Sequence, residues 1–226
     1  MEPIVLFDFD GTLLVDNIHE PQAQALVAAV EETFNVPVER ESVDWVGKTD
    51  FQLARELLAG RGDFDALLED YKRNYYQGFL RQQWPSIPVR DGWFDVLPQL
   101  PYRAALVTGN YLSIALAKID AAGLDDRWLG IDRSAFGNDA EERAELVRVA
   151  LERSGTTDAL LVGDTWRDIE AAHANGIKAV GLVTEKHSSE ELKNAEFLAW
   201  QPADLLPILR VLWPTSPTPT KQPTKR

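Results

Sequence analysis

The chain has no cysteine, so thiol nucleophiles, thiolate metal sites and disulfides are excluded together. It has three histidines, His19, His173 and His187, and no two of them share a metal-ligand spacing, which argues against a zinc centre. Long apolar runs are missing as well. Nothing approaches the roughly 18 uninterrupted apolar residues of a membrane span, and Met1 to Phe7 lack the positively charged start of an export signal. Positive charge is scarce, with 23 Lys and Arg against 36 Asp and Glu and a formal net charge of -13. Nonspecific attraction to nucleic acid or anionic membrane relies on cations that neutralise phosphates, so neither is an expected partner. The expectation is a cytoplasmic protein whose phosphorylated ligand, if it has one, needs local positive charge such as a metal.

What is present is ordinary for a folded chain: 226 residues, 45% hydrophobic, with seven tryptophans, enough for one or two compact domains. Short apolar runs recur and stop at turn-forming residues: Ile4 to Phe7 before Asp8, Ala104 to Val107 before Thr108, Ala159 to Val162 before Gly163, and Ala179 to Val183 after Gly176. Continuous runs of this length suit strands buried on both faces of a parallel sheet. Between them, Tyr111 to Ala122, Ala140 to Arg153 and Asp168 to Asn175 have helical periodicity and are followed by Gly123, Gly155 and Gly176. Alternating strand and helix predicts an α/β fold with a doubly wound, Rossmann-like parallel sheet.

About ninety residues separate the first two strands, far more than one crossover helix requires. Within them Pro21 to Phe34, Phe51 to Ala59 and Phe64 to Gln82 read as helices, and no strand-like run interrupts them. The predicted organisation is a core of residues 1–15 and 89–212 and a helical cap of residues 16–88. The exits of the cap, Val15-Asp16-Asn17 and Trp84 to Pro88, would form a paired hinge. The aromatic residues Trp45, Tyr71, Tyr75, Tyr76 and Phe79 are expected in the core of the cap. Residues 213–226, mostly Pro, Thr, Lys and Ser, are predicted to be a disordered tail.

Ligands of open parallel sheets bind beyond the carboxyl ends of the strands. Three polar clusters occupy those ends here: Asp8 with Asp10, Thr108-Gly109-Asn110, and Gly163-Asp164 through Asp168. Asp8 and Asp10 are two apart, so an extended backbone points both carboxylates the same way. Four carboxylates in one crevice repel each other unless a cation lies among them, and oxygen ligands suit a hard ion such as Mg2+.

These segments, Asp8-Phe9-Asp10-Gly11-Thr12-Leu13, Thr108-Gly109-Asn110 and Gly163-Asp164 to Asp168, resemble the signature loops of the haloacid dehalogenase-like hydrolases. The likeness runs over residues 1 to 212 and includes a helical cap after the first loop, as in phosphoglycolate phosphatases. The resemblance implies a phosphatase acting on small phosphate monoesters, with no obligate protein partner. It makes Asp8 the nucleophile that becomes an aspartyl phosphate, Asp10 the acid and then base, and Thr12 a residue that keeps the loop in shape. It implies Mg2+ held by the Asp8 side chain, the Asp10 backbone carbonyl and Asp164, with Asp168 close by or acting through water. Thr108 and the Gly109 amide, with Asn110, would bind the phosphoryl oxygens.

One element departs from the family pattern. The usual lysine ahead of the helix leading to Asp164 is replaced by Gly137-Asn138-Asp139-Ala140-Glu141-Glu142-Arg143. Arg143 is assigned to that role because a guanidinium also binds phosphate, with Lys118 as the competing candidate. Gly47-Lys48-Thr49 is not a nucleotide-binding loop, because no strand precedes it and the first glycine of that pattern would fall at Ser42. In capped relatives such a stretch can face substrate, which makes Lys48 and Thr49 candidate specificity residues, with a solvated loop as the equal alternative. A sugar-phosphate mutase would use the same residues. A dehalogenase would normally lack Asp10, and a noncatalytic binding protein of this fold would be expected to have lost part of the loop.

Overall fold

The computed structural model of the chain describes residues 2–15, 19–82 and 87–214. The main elements run in the order β1 (Ile4–Phe7), α1 (His19–Phe34), α2 (Asp50–Leu58), α3 (Leu68–Arg81), α4 (Trp93–Val96), β2 (Arg103–Leu106) and α5 (Leu112–Ala122). They continue as α6 (Arg143–Ser154), β3 (Ala159–Gly163), α7 (Trp166–Ala174), β4 (Lys178–Leu182), β5 (Phe197–Ala199) and α8 (Leu205–Leu212). The five strands make one parallel sheet in the order β2-β1-β3-β4-β5, the doubly wound α/β arrangement that the apolar runs predict.

The runs are continuous because both faces of the sheet are covered. Val5 and Phe7 point into one apolar layer with Trp93 of α4, Ala115 and Ile119 of α5, and Leu205 and Leu209 of α8. Ile4 and Leu6, offset by one residue, point into the opposite layer with Leu146 and Val147 of α6 and Ile169 of α7. A strand alternates its side chains, so only an apolar run satisfies both layers.

The register sets up the site. Phe7 is level with Leu106 of β2 and with Val162 of β3. Asp8 follows Phe7 directly, and Thr108 and Asp164 lie one residue further along their strands, so all three emerge from the same edge of the sheet.

Between β1 and β2 the described residues are helical apart from turns and loops. They hold an apolar cluster of their own: Leu26 and Val30 of α1, Leu53 and Leu57 of α2, and Tyr71, Tyr75 and Phe79 of α3. That cluster extends onto Tyr111 and Ile114 at the start of α5, so the insertion rests on the sheet's ligand edge. Trp45 and Tyr76 pack against it. Where the two connections are described they run side by side, with the Val15 amide donating to the Pro88 carbonyl at 2.8 Å. The rest of the expected hinge, residues 16–18 and 83–86, lies outside the described residues.

Several boundaries differ from the periodicity. Helix α6 starts at Arg143 rather than Ala140, because the Asp139 carboxylate accepts from the Phe136 amide at 2.9 Å and holds a turn there. Helix α7 starts before Asp168, whose carboxylate caps it by accepting from the Thr165 amide at 3.1 Å and hydroxyl at 2.7 Å. Strand β5 and helix α8 add to the predicted elements; the three residues of β5 are too few for a periodic signal. At the end of the returning connection the Ile87 side chain packs into the first core layer. Trp213, expected in the tail, packs on Tyr102 with ring centroids 4.7 Å apart and donates to Asp158 at 2.8 Å. The remaining expected tail from residue 215 lies outside the described residues. Among the described residues no helix is long and apolar enough to cross a membrane.

Candidate active site

The strand β1 ends at Phe7, and the chain then folds back, with the Leu13 and Leu14 amides both donating to the Phe9 carbonyl at 2.9 Å. Gly11 makes this turn with φ of +86°, and a Cβ there would lie 2.3 Å from Asp164 Oδ2. Only glycine meets both conditions. The loop is pinned from three sides. The Thr12 hydroxyl donates to Asp164 Oδ1 at 3.0 Å, Arg90 donates to the Gly11 carbonyl at 2.9 Å, and the Trp93 indole donates to the Thr12 carbonyl at 2.8 Å. The expected loop-holding part of Thr12 is thus visible as a bond between the first and third polar clusters.

Asp8, Asp164 and Asp168 are buried and each presents a carboxylate oxygen within 4.8 Å of the others. Arg143, also buried, reaches into this group from the first residue of α6. Its Nε donates to Asp168 Oδ1 at 2.7 Å, and its Nη2 pairs with Asp8. Arg143, assigned to phosphate from the sequence, here bridges two of the acids. One cation facing three buried carboxylates leaves a surplus of negative charge. Burial pushes the Asp8 carboxyl up to about 7 against the opposing pull of Arg143, with the neighbouring Asp168 adding to the rise. Asp164 is held well above the usual carboxylate range by burial and then by Asp8 and Asp168. This donor set fits a hard divalent ion, which would relieve the repulsion. Asp168 has both oxygens engaged, Oδ1 by Arg143 and Oδ2 by Thr165, so Asp8 and Asp164 are the residues best placed to hold such an ion.

Asp10 behaves differently from the period-of-two expectation. Because the strand stops before it, its carboxylate does not join the Asp8 group; it meets Lys118 Nζ at 2.7 and 2.8 Å and Asn110 Nδ2 at 2.6 Å. Lys118 is fully buried in α5. The competing candidate for the Arg143 position thus also reaches the site, on the opposite acid. Its signal was its spacing: Tyr111, Ile114, Ala115 and Lys118 share one face of α5, and a lysine on an apolar face needs a buried partner. Gln22 and Asp50, which join the same network, carried no comparable signal.

Thr108 and Asn110 are buried beside these acids, and the Thr108 hydroxyl accepts from the Asn110 amide at 3.2 Å. Gly109 is where the insertion touches down. A Cβ on it would lie 2.7 Å from the Lys48 carbonyl oxygen and from Thr49 Cα, and its carbonyl accepts from the Asp50 amide at 2.8 Å.

Asp8, Asp10, Thr108, Gly109, Asn110, Arg143 and Asp164 line the floor of a cavity of about 350 Å3. The insertion supplies walls from Leu26, Arg40, Trp45, Lys48 and Leu53, and the segment after β4 adds Lys186 and His187. Lys48 is in the wall, its ammonium paired with Glu56 at 2.5 Å. Thr49 is not. Its hydroxyl donates to the Glu141 carbonyl at 2.8 Å and accepts from the Gln52 amide at 3.1 Å, so it caps α2 and seats the insertion instead of facing a ligand. His187 is likewise a wall residue rather than a plain surface one, and Trp45 combines cavity wall with packing on the insertion's cluster.

A family model for haloacid dehalogenase-like hydrolases matches residues 5–182. A protein of Dickeya dadantii named "Probable phosphatase IndB" is 29% identical over 205 residues, covering 87% of each chain. A "Phosphoglycolate phosphatase" of Mesorhizobium japonicum is 28% identical over 206 residues, covering 83% of this chain and 87% of its own. Among solved structures, CbbY of Rhodobacter sphaeroides in complex with xylulose-(1,5)bisphosphate shares the fold with a TM-score of 0.66 at 21% identity, over 91% of this chain and 96% of that one.

Removing Arg143 leaves Asp8 and Asp168 buried without their cation. In urea denaturation at pH 8 without metal, Arg143→Met is expected to lower stability by about 3 to 5 kcal/mol, and Arg143→Lys by less. A loss under about 1 kcal/mol for the methionine variant would show that the pair carries no such weight.

Proposed function

The chain belongs to the haloacid dehalogenase-like hydrolases, and from that we propose that it hydrolyses small phosphate monoesters in two steps through an aspartyl phosphate on Asp8. The observation that carries this reading is the emergence of Asp8, Thr108 and Asp164 from three neighbouring strand ends at the floor of one cavity, with Arg143 bridging Asp8 and Asp168.

In the first step an Asp8 carboxylate oxygen bonds to phosphorus and the ester P–O bond breaks. Its electron pair goes to the leaving oxygen, which takes a proton from the Asp10 carboxyl. In the second, Asp10 removes a proton from water as the water oxygen bonds to phosphorus, and the bond from phosphorus to Asp8 breaks to restore the carboxylate. Thr108 and the Gly109 amide hydrogen-bond the phosphoryl oxygens, with Asn110 ordering the loop, and Arg143 stabilises charge on the transferring group. Asp8, the Asp10 carbonyl and Asp164 would hold Mg2+, with Asp168 fixing Arg143 beside them. When bound it neutralises charge that develops on the phosphoryl oxygens. The presence of Asp10 argues against a dehalogenase.

We read residues 16–88 as a cap over a core of residues 1–15 and 89–212, which excludes water from the reacting groups. The substrate is a small phosphorylated molecule. Its organic part meets Trp45, Lys48 and Leu53, and the phosphoglycolate phosphatases among the similar proteins place that class first in any panel.

Two outcomes follow. Phosphate release from an aryl phosphate is expected to require Mg2+ and to fall at least about a thousandfold in Asp8→Asn, as loss of a nucleophile does; equal activity in the two proteins would contradict the assignment. The pH dependence has a definite sign. Asp8, raised to about 7, lets the folded metal-free protein keep a proton that the unfolded chain has lost, so this group's contribution makes stability fall as pH rises from about 4 to 7. Mg2+ binds the deprotonated acids, so its increase in melting temperature is expected to be larger at pH 7.5 than at pH 5.5. An equal increase at both would contradict the reading of the acids as ligands.

A further inference from the structure

Lys118 is fully buried, on the face of α5 that also carries Ile114 and Ala115. An apolar side chain would be the simplest occupant there, since an ammonium must replace its lost water with acceptors. The structure supplies three acceptors for its three N–H groups: Asp10 Oδ1 at 2.7 Å, Asp10 Oδ2 at 2.8 Å and Gln22 Oε1 at 2.6 Å. With its donors so engaged, and absent from the cavity wall, Lys118 is not placed to bind substrate phosphate. It acts on Asp10.

The third acceptor comes from the insertion. Gln22 lies in the first turn of α1, and its orientation is forced, because an ammonium only donates and the amide oxygen must face it. The amide nitrogen then points away, toward the Tyr75 hydroxyl at 2.9 Å, Asn110 Oδ1 at 3.2 Å and Asp50 Oδ1 at 3.3 Å. Asp50 in turn accepts from the Tyr111 amide at 3.0 Å. The same network returns to Asp10 through Asn110 Nδ2 at 2.6 Å. Every path from Lys118 that does not end on the core passes through α1, α2 or α3.

We infer that Lys118 is a positioning residue for Asp10, and that Gln22 completes its site so that Asp10 is held in working geometry only while the insertion is seated on the core. This rests on the proposed phosphatase reaction, in which Asp10 handles the protons. The inference assigns the insertion a part in the chemistry as well as in enclosing the substrate. A cap swung away removes the third acceptor of Lys118 and the Gln22 bond to Asn110, so the two core residues that hold Asp10 both lose the partner that fixes their own positions.

The test uses leaving groups of graded basicity, because only poor leaving groups need the Asp10 proton. In wild type, Lys118→Met and Gln22→Met, kcat/KM is measured from an alkyl phosphate to 2,4-dinitrophenyl phosphate. Lys118→Met is expected to lose about a hundredfold on the alkyl ester and less than about fivefold on the dinitrophenyl ester, whose departure needs no acid. Gln22→Met is expected to show the same tilt at about tenfold, and it decides the matter if Lys118→Met does not fold. Losses equal across the series, or no loss in either variant, overturn the proposal and leave Lys118 as a core ion pair. A wild type that hydrolyses the series no faster than Asp8→Asn contradicts the phosphatase reading itself.

Discussion

Carboxylates crowded at level strand ends are the constraint around which the ligand edge of this molecule is built. The register of β1 with β3 brings Asp8 and Asp164 out beside each other, Asp10 follows in the loop after β1, and Asp168 lies in the first turn of α7. Buried like charges at this separation are costly unless neutralised. The chain meets that cost with two buried cations, one for each branch. Arg143 from α6 serves Asp8 and Asp168, and Lys118 from α5 serves Asp10. The division of labour between the two aspartates of the first loop follows. Asp8 is left beside Asp164 with negative charge still in excess, where a metal and a phosphoryl group can be received. Asp10 is balanced and anchored as a carboxylate, the form that takes the proton from water in the second step.

The helical insertion is tied to this arrangement at the same level. Gly109 has no side chain because the backbone of Lys48 and Thr49 lies on it, Thr49 bonds the loop before α6, and Gln22 enters the coordination of Lys118. These contacts are polar and few, and all lie at the edge where the ligand would enter. The large apolar cluster of the insertion is mostly its own, reaching the core through Tyr111 and Ile114.

Much of this was legible in the sequence, for physical reasons that can be named. Strands buried on both faces must be apolar throughout, so β1 to β4 announce themselves, and the polar residues that end them mark the ligand edge. The acids of the site follow from that placement, as does Arg143 once a cation is required beside them. What sequence periodicity could not supply is tertiary. The three residues of β5 are shorter than any period. Thr49 looks like a substrate residue by its neighbours but is consumed by a cap and a loop carbonyl, and its burial is decided by residue 141. Lys118 enters the sequence reading only as the competitor of Arg143, and that Asp10 and not Asp8 is its partner depends on β1 stopping at Phe7, before the extended alternation that would carry Asp10 beside Asp8. Gln22 could not be found at all, because an amide on an exposed-looking first turn gives no sign of what lies opposite.

The central claim is that Asp8, and no other carboxylate of the cluster, takes the phosphoryl group. Acid quenching during turnover of a phosphate monoester with Mg2+, followed by borohydride reduction and peptide mass spectrometry, reads it directly. The account predicts that the aspartyl residue reduced to homoserine is Asp8 alone, and that Asp8→Asn gives no such product. Modification of Asp10, Asp164 or Asp168 instead, or none in an enzyme that is turning over, would contradict it.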